Sequence, residues 1–147
     1  MEHKKILLVE DNPDDQELIR MAFEDSHVAN ELVVLGDGAQ ALDYLFSTGK
    51  YADRDVSDKP QVILLDLKLP KVNGLEVLER LRADPRTQVI PVVILTSSSE
   101  EEDIVASYKL GANSYVRKPV DFNRFAEAIQ RLGCYWLVLN HKPPENE

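Results

Sequence analysis

Cysteine is nearly absent from this chain of 147 residues. Cys134 stands alone, so no internal disulfide can form and nothing points to an oxidising compartment. Long apolar runs are missing as well: none approaches the ~20 residues that span a bilayer. The opening Met1-Glu2-His3-Lys4-Lys5 leads into an apolar run too short for a signal peptide. A cytoplasmic location with no membrane partner is the expectation. Positive charge is the scarce sign, with 17 Lys and Arg against 26 Asp and Glu and a net charge of −9. That balance argues against the phosphate contacts that non-specific nucleic-acid binding requires, so no nucleic-acid partner is expected. Glycine and proline, 6 and 8 residues, are too few for a fibrous or disordered chain. His3, His27 and His141 are scattered without metal-ligand spacing. What is left is the size and composition of one globular domain.

Short apolar runs alternate five times with amphipathic helical patterns. Residues 6–9, 32–35, 62–65, 92–95 and 114–117 read as strands. The first helix opens with Pro13 in its first turn and carries Leu18, Ile19, Ala22 and Phe23 at helical spacing. Ala41, Leu42 and Leu45 stripe the second helix, and Leu75, Leu78 and Leu81 the third, which should stop before Pro85. Ser98 or Ser99 is the expected cap of the fourth helix, which Gly111 ends. Residues 121–139 read as the last helix, 48–59 as a long polar loop and 140–147 as a frayed tail. Strands alternating with helices predict an α/β fold, a parallel sheet covered on both faces.

Ligands of such sheets bind outside the carboxyl ends of the strands. Glu10 and Asp11 follow the first strand there, Asp66 the third, Thr96 the fourth and Lys118 the fifth. Three carboxylates in one crevice repel one another unless a cation joins them. Mg²⁺ suits a few carboxylates plus water and phosphate oxygens. An Asp carboxylate can attack phosphorus, and Lys118 and Thr96 could then neutralise and orient the phosphoryl oxygens. A lone Asp after a strand is usually a turn residue. Five such residues at the correct strand ends make that reading improbable.

The chain resembles the receiver domains of two-component response regulators. The likeness rests on Ile6-Leu7-Leu8-Val9-Glu10-Asp11, Leu64-Leu65-Asp66-Leu67-Lys68-Leu69-Pro70, Asn73-Gly74, Val93-Ile94-Leu95-Thr96-Ser97, Gly111-Ala112 and Tyr115-Val116-Arg117-Lys118-Pro119. It implies a flavodoxin-like, doubly wound (βα)5 domain with sheet order 2-1-3-4-5, over residues 1–140, followed by the tail. It further implies that Asp66 accepts a phosphoryl group from a sensor histidine kinase, in a self-catalysed transfer rather than as a turnover enzyme. Mg²⁺ would be bound by Asp11, Asp66, the Lys68 carbonyl and, through water, Glu10. Thr96, Lys118 and the backbone N–H groups of Leu67 and Ser97 would contact the phosphoryl oxygens. Thr96 and Tyr115 would form the switch, and the Lys118-Pro119 bond is expected to be cis. The 48–59 loop and the extra apolar residues of the last helix resemble the small regulators paired with phytochromes. No output domain is expected, so the signal should leave through the domain's own surface.

Rival motifs carry less. Gly36-Asp37-Gly38-Ala39-Gln40-Ala41 matches a dinucleotide fingerprint, but Asp37 would set a carboxylate beside a pyrophosphate, and a tight turn before a helix explains both glycines. An Mg²⁺-dependent phosphohydrolase is the alternative reading of Asp66-Leu67-Lys68, although Lys68 stands where a second acid is needed. In the last helix, Phe122, Phe125, Ala126, Ile129 and Trp136 share the core side at about 100° per residue. Cys134, Tyr135 and Val138 fall outside it. They predict a homodimer through the fourth helix, fifth strand and fifth helix.

Overall fold

The apolar runs pair through their backbones into one parallel sheet, as strands buried on both faces must. The computed structural model describes residues 4–24, 30–97 and 100–118, together with 123, 124, 127 and 131. In chain order the elements are β1 (Lys4–Val9), α1 (Pro13–Glu24), β2 (Asn30–Leu35), α2 (Gly38–Phe46), β3 (Val62–Leu65), α3 (Gly74–Ala83), β4 (Val92–Thr96), α4 (Glu101–Lys109) and β5 (Ser114–Arg117). The five strands lie in the order β2-β1-β3-β4-β5, and every pairing is parallel. This is the flavodoxin-like, doubly wound arrangement. The fourth helix is not capped by Ser98 or Ser99. Its N-cap position is Glu100, whose carbonyl accepts the Asp103 and Ile104 N–H groups and whose side chain makes no cap bond, because the helix starts one to two residues later than expected. The Lys118-Pro119 bond, the core and outer stripes of the last helix and the tail fall outside the described residues.

Period-2 alternation splits the strand side chains between two layers. Leu7, Val9, Ile63, Leu65, Val92 and Ile94 point to the side covered by α2 and α3, where Ala41, Leu42, Leu45, Val77, Leu78 and Leu81 meet them. Ile6, Leu8, Val62, Leu64, Val93 and Leu95 point to the side of α1, against Ile19, Ala22 and Phe23. Most of the expected stripe residues are buried; Leu18 and Leu75 are only partly so, and Val77 is buried on α3 without having been expected. Three strands extend past their apolar runs: β1 starts at Lys4, β2 at Asn30, and β4 continues to Thr96. Backbone pairing explains this, since Lys4 registers with Asn30 and Thr96 with Arg117 whatever side chains they carry.

The long polar loop at 48–59 is pinned to the domain by particular contacts. It opens with a 3₁₀ turn at Gly49–Tyr51. The Tyr51 ring meets Tyr44 edge-on at 5.3 Å, and the Arg54 guanidinium lies 3.9 Å over Tyr44 while donating to the Tyr44 and Asp58 carbonyls. Lys5 Nζ closes the loop on Asp58 at 2.6 Å.

The glycine-rich turn before α2 has no room for a nucleotide. Asp37 caps the helix, its Oδ1 accepting from the Gln40 N–H at 2.7 Å. A Cβ on Gly38 would stand 1.8 Å from the Val72 carbonyl oxygen. The β3–α3 loop therefore covers the helix end at which a pyrophosphate would have to sit.

Candidate functional site

Parallel register places the residues that follow β1, β3, β4 and β5 at one edge of the sheet. Glu10 N–H donates to the Leu35 carbonyl, Asp66 N–H to Val9 and Lys118 N–H to Thr96, at 3.0, 3.1 and 2.7 Å. Each bond continues the ladder one residue beyond a strand and so sets where the side chain emerges. Asp66 is supported from below by a close approach. Gly74, the first residue of α3, packs so tightly that an added Cβ would lie 2.1 Å from the Asp66 carbonyl oxygen. Its N–H donates to Leu67 O at 2.8 Å, and Asn73 caps the helix through Glu76 N–H at 3.0 Å.

At the centre stands the Lys118 ammonium. It donates to Glu10 Oε1, to Asp15 Oδ2 at 2.8 Å and to Asp66 Oδ2 at 3.1 Å. An ammonium has three donors, and three carboxylates take them. The Lys118 side chain is 9% exposed and that of Glu10 is 1% exposed, so these are strong, charge-assisted contacts in a poorly hydrated setting. Asp66 Oδ1 accepts from the Leu67 N–H at 2.7 Å and lies 3.4 Å from Lys68 N. Glu10 Oε2 accepts from Asn12 N–H at 3.1 Å.

Burial is the main influence on both ends of the central pair. It drives the Glu10 carboxyl up to about 7; the Lys118 bond opposes this and the Asp66 charge reinforces it. For Lys118, burial favours the neutral amine, yet the bonds to Asp15 and Glu10 and the charges of Asp66 and Glu10 outweigh it. The ammonium is held above its ordinary range. A permanently charged cation beside a carboxyl that is reluctant to ionise describes a crevice short of positive charge.

A divalent cation fits that shortage. Carboxylate oxygens of Glu10, Asp11 and Asp66 lie within 4.8 Å of one another, and they are the hard oxygen donors that such ions take. Asp11 is exposed, leaving its side open to water. Chemically, the arrangement can bind an ion, hold a nucleophilic carboxylate and offer an ammonium to an anion.

Among the expected residues, Glu10, Asp11, Asp66 and Lys118 come together as anticipated. Thr96 is buried at the end of β4, in register with Arg117 next to Lys118. Leu67 N–H is engaged by Asp66 itself. Ser97 and Lys68 are exposed beside the crevice. Tyr115 is half-buried on β5, in register with Ile94 and packed on the α2–α3 side of the core.

Asp15 was not anticipated. A signal existed: it lies four residues before Ile19 and so shares the inward stripe of α1. A charged residue on an apolar stripe needs a partner, but helical period does not say which one. Asn12 was missed too. Its side chain caps α1, accepting from Asp14 N–H at 2.9 Å and Asp15 N–H at 3.2 Å.

Comparison with known proteins agrees with this geometry. A family model for the response regulator receiver domain matches residues 6–130. Response regulator Rcp1 of Synechocystis sp. (strain ATCC 27184 / PCC 6803 / Kazusa) is 40% identical over 134 residues, which is 91% of this chain and 89% of Rcp1. The crystal structure of its Mn²⁺-bound form has a TM-score of 0.89 at 38% identity, covering 96% of this chain and 99% of that one. The phosphorylated cyanobacterial phytochrome response regulator RcpA has a TM-score of 0.91 at 40% identity, covering 97% and 100%. The bacteriophytochrome response regulator RtBRR is 56% identical with a TM-score of 0.76, covering 98% and 86%.

Proposed function

Because the chain belongs to the family of response regulator receiver domains, we propose that Asp66 is its phosphoacceptor and that phosphorylation switches its binding to partners. The observation that carries this reading is the Lys118 ammonium bridging Glu10, Asp15 and Asp66 at the carboxyl edge of the sheet. In the transfer, an Asp66 carboxylate oxygen attacks the phosphorus of a kinase phosphohistidine. A P–O bond forms, the P–N bond breaks and the imidazole leaves. Lys118 meets the charge on the phosphoryl oxygens, assisted by the Thr96 hydroxyl and the N–H groups of Leu67 and Ser97. The Asp66 Oδ1 contact with Leu67 N–H loosens as those oxygens arrive.

The cation of this site is Mg²⁺ in our reading, held by Asp11, Asp66 and the Lys68 carbonyl, with Glu10 acting mostly through water. When bound, it neutralises negative charge and orients oxygens. The domain catalyses its own phosphorylation and turns over no separate substrate. A phosphohydrolase reading has no support, since exposed Lys68 stands where a second acid is required.

The names of RcpA and RtBRR favour a phytochrome-type histidine kinase as phosphodonor, in the cytoplasm. Thr96 and Tyr115 form the switch, and the domain spans 1–140. Val105 and Tyr108 on α4 are 46% and 51% exposed, which favours a homodimer through α4, β5 and the last helix. No nucleic-acid or membrane partner is proposed. Acetyl phosphate with Mg²⁺, followed by intact mass, tests the central reading: a stable adduct of one phosphoryl group per chain is expected, and turnover without an adduct would refute it. Sedimentation with and without a phosphoryl mimic tests the dimer.

A further inference from the structure

We propose that Asp15 is a positioning residue for Lys118, retaining the ammonium beside Asp66 when a divalent cation occupies Glu10, Asp11 and Asp66. The inference rests on the receiver reading above. What carries it is the overlap between two sets of partners. Lys118 Nζ is held by Glu10, Asp15 and Asp66, whereas the oxygens grouped for a cation are those of Glu10, Asp11 and Asp66. Glu10 and Asp66 belong to both sets. Asp15 belongs only to the lysine's.

A divalent cation would draw on the lone pairs of Glu10 and Asp66 and would repel the Lys118 charge across a crevice that screens poorly. Both effects push the ammonium away from where phosphoryl oxygens must be met. Asp15 is the carboxylate left to oppose them. Its Oδ2 lies 2.8 Å from Nζ, against 3.1 Å for Asp66, so Asp15 already holds the lysine from the α1 side while Glu10 and Asp66 hold it from the strand ends.

The first turn of α1 holds Asp15 at this point. Asn12 Oδ1 accepts from the Asp14 and Asp15 N–H groups. Gln16 Nε2 donates to the Glu10 carbonyl at 2.6 Å, tying that turn to the end of β1. The neighbouring Asp14 is exposed, while the Asp15 side chain is 24% exposed and turned to the lysine. Loss of one charge-assisted bond to an ammonium that still has some hold should reduce its useful occupancy about tenfold.

The test is a double-mutant cycle at saturating Mg²⁺, following phosphorylation by acetyl phosphate through intact mass in wild type, Asp15→Asn, Lys118→Ala and the double variant. Asp15→Asn should slow phosphorylation about tenfold, and should slow it less than about twofold when Lys118 is already alanine. A second measurement does not depend on phosphorylation: the side-chain ammonium NMR signal of Lys118. It should stay protected in wild type with Mg²⁺, be lost in Asp15→Asn with Mg²⁺, and return in that variant under EDTA. A wild-type rate in Asp15→Asn, losses that simply multiply, or an ammonium signal that survives Mg²⁺ in the variant would each overturn the proposal. Failure of the receiver reading looks different: wild type takes up no phosphoryl group, and the ammonium signal then still decides whether Asp15 holds Lys118.

Discussion

Two sheltered cations sit at different ends of the fold, and their partners differ in kind. Lys118 is surrounded by carboxylates, Glu10, Asp15 and Asp66. Arg82, near the end of α3, donates to neutral acceptors: the carbonyls of Gly111, Gln88 and Ile90 at 2.9, 3.0 and 2.8 Å, and Asn113 Oδ1 at 3.0 Å. Burial lowers the Arg82 pKa, while the charges around Lys118 raise its own. Arg82 clamps the turn after α4 to the segment between α3 and β4, and a planar fork of donors suits that fixed role. Lys118 is a point charge among several anionic partners. It can be handed from one to another, which is what a site that gains and loses an anion needs.

Breaking either cation, or its partners, should sharpen this contrast. The largest expected effect is chemical. Asp66→Asn keeps the shape of the side chain but removes the nucleophile, so acetyl phosphate and Mg²⁺ should leave its intact mass unchanged while its unfolding curve stays cooperative. Phosphorylation of this variant at the wild-type rate would displace Asp66 from the site.

Next comes stability at the neutral clamp. Arg82→Ala removes bonds to several carbonyls at once and should cost about 2–3 kcal/mol in urea unfolding, while the folded protein still takes up the phosphoryl group. A loss of phosphorylation larger than the loss of folded protein would contradict the division of roles.

The third effect is a pH dependence. Glu10 has a folded pKa of about 7 against an ordinary 4.5. Between those values the folded protein binds more protons than the unfolded chain, so this group lowers stability as pH rises through that window. Glu10→Gln has no proton to lose. In EDTA the stability difference between the two proteins should therefore shift in favour of the variant from pH 5 to pH 8, by on the order of 2 kcal/mol. Mg²⁺, which favours the ionised carboxylate, should flatten the shift. A difference independent of pH in EDTA would mean that Glu10 ionises freely. The smallest effect is local: Asn73→Ala removes the cap of α3 behind Asp66 and should cost about 1 kcal/mol by thermal unfolding, with phosphorylation retained.

The strands were legible because β1 and β3 are buried on both faces, which forces runs such as Val62–Leu65 to be apolar throughout. Their ends were less so. β1 begins at Lys4 and β4 ends at Thr96, since a backbone ladder continues where neighbouring strands allow it. The 48–59 loop was legible as a long polar connection, but not how it is held, because Tyr51 and Arg54 find their partner in Tyr44, several residues earlier on α2.

The same distinction runs through the site. Sequence alone determined that Glu10, Asp11, Asp66, Thr96 and Lys118 stand at or just past the carboxyl ends of strands, and parallel strands bring such positions to one edge. That Asp15 joins them, and that Arg82 binds carbonyls instead of a carboxylate, was decided by tertiary structure. Periodicity says which face of a helix a residue occupies. What stands opposite is set by packing between segments far apart in the chain, as with Asp15 and Lys118, 103 residues apart, and a buried charge takes whichever partner that packing brings within reach.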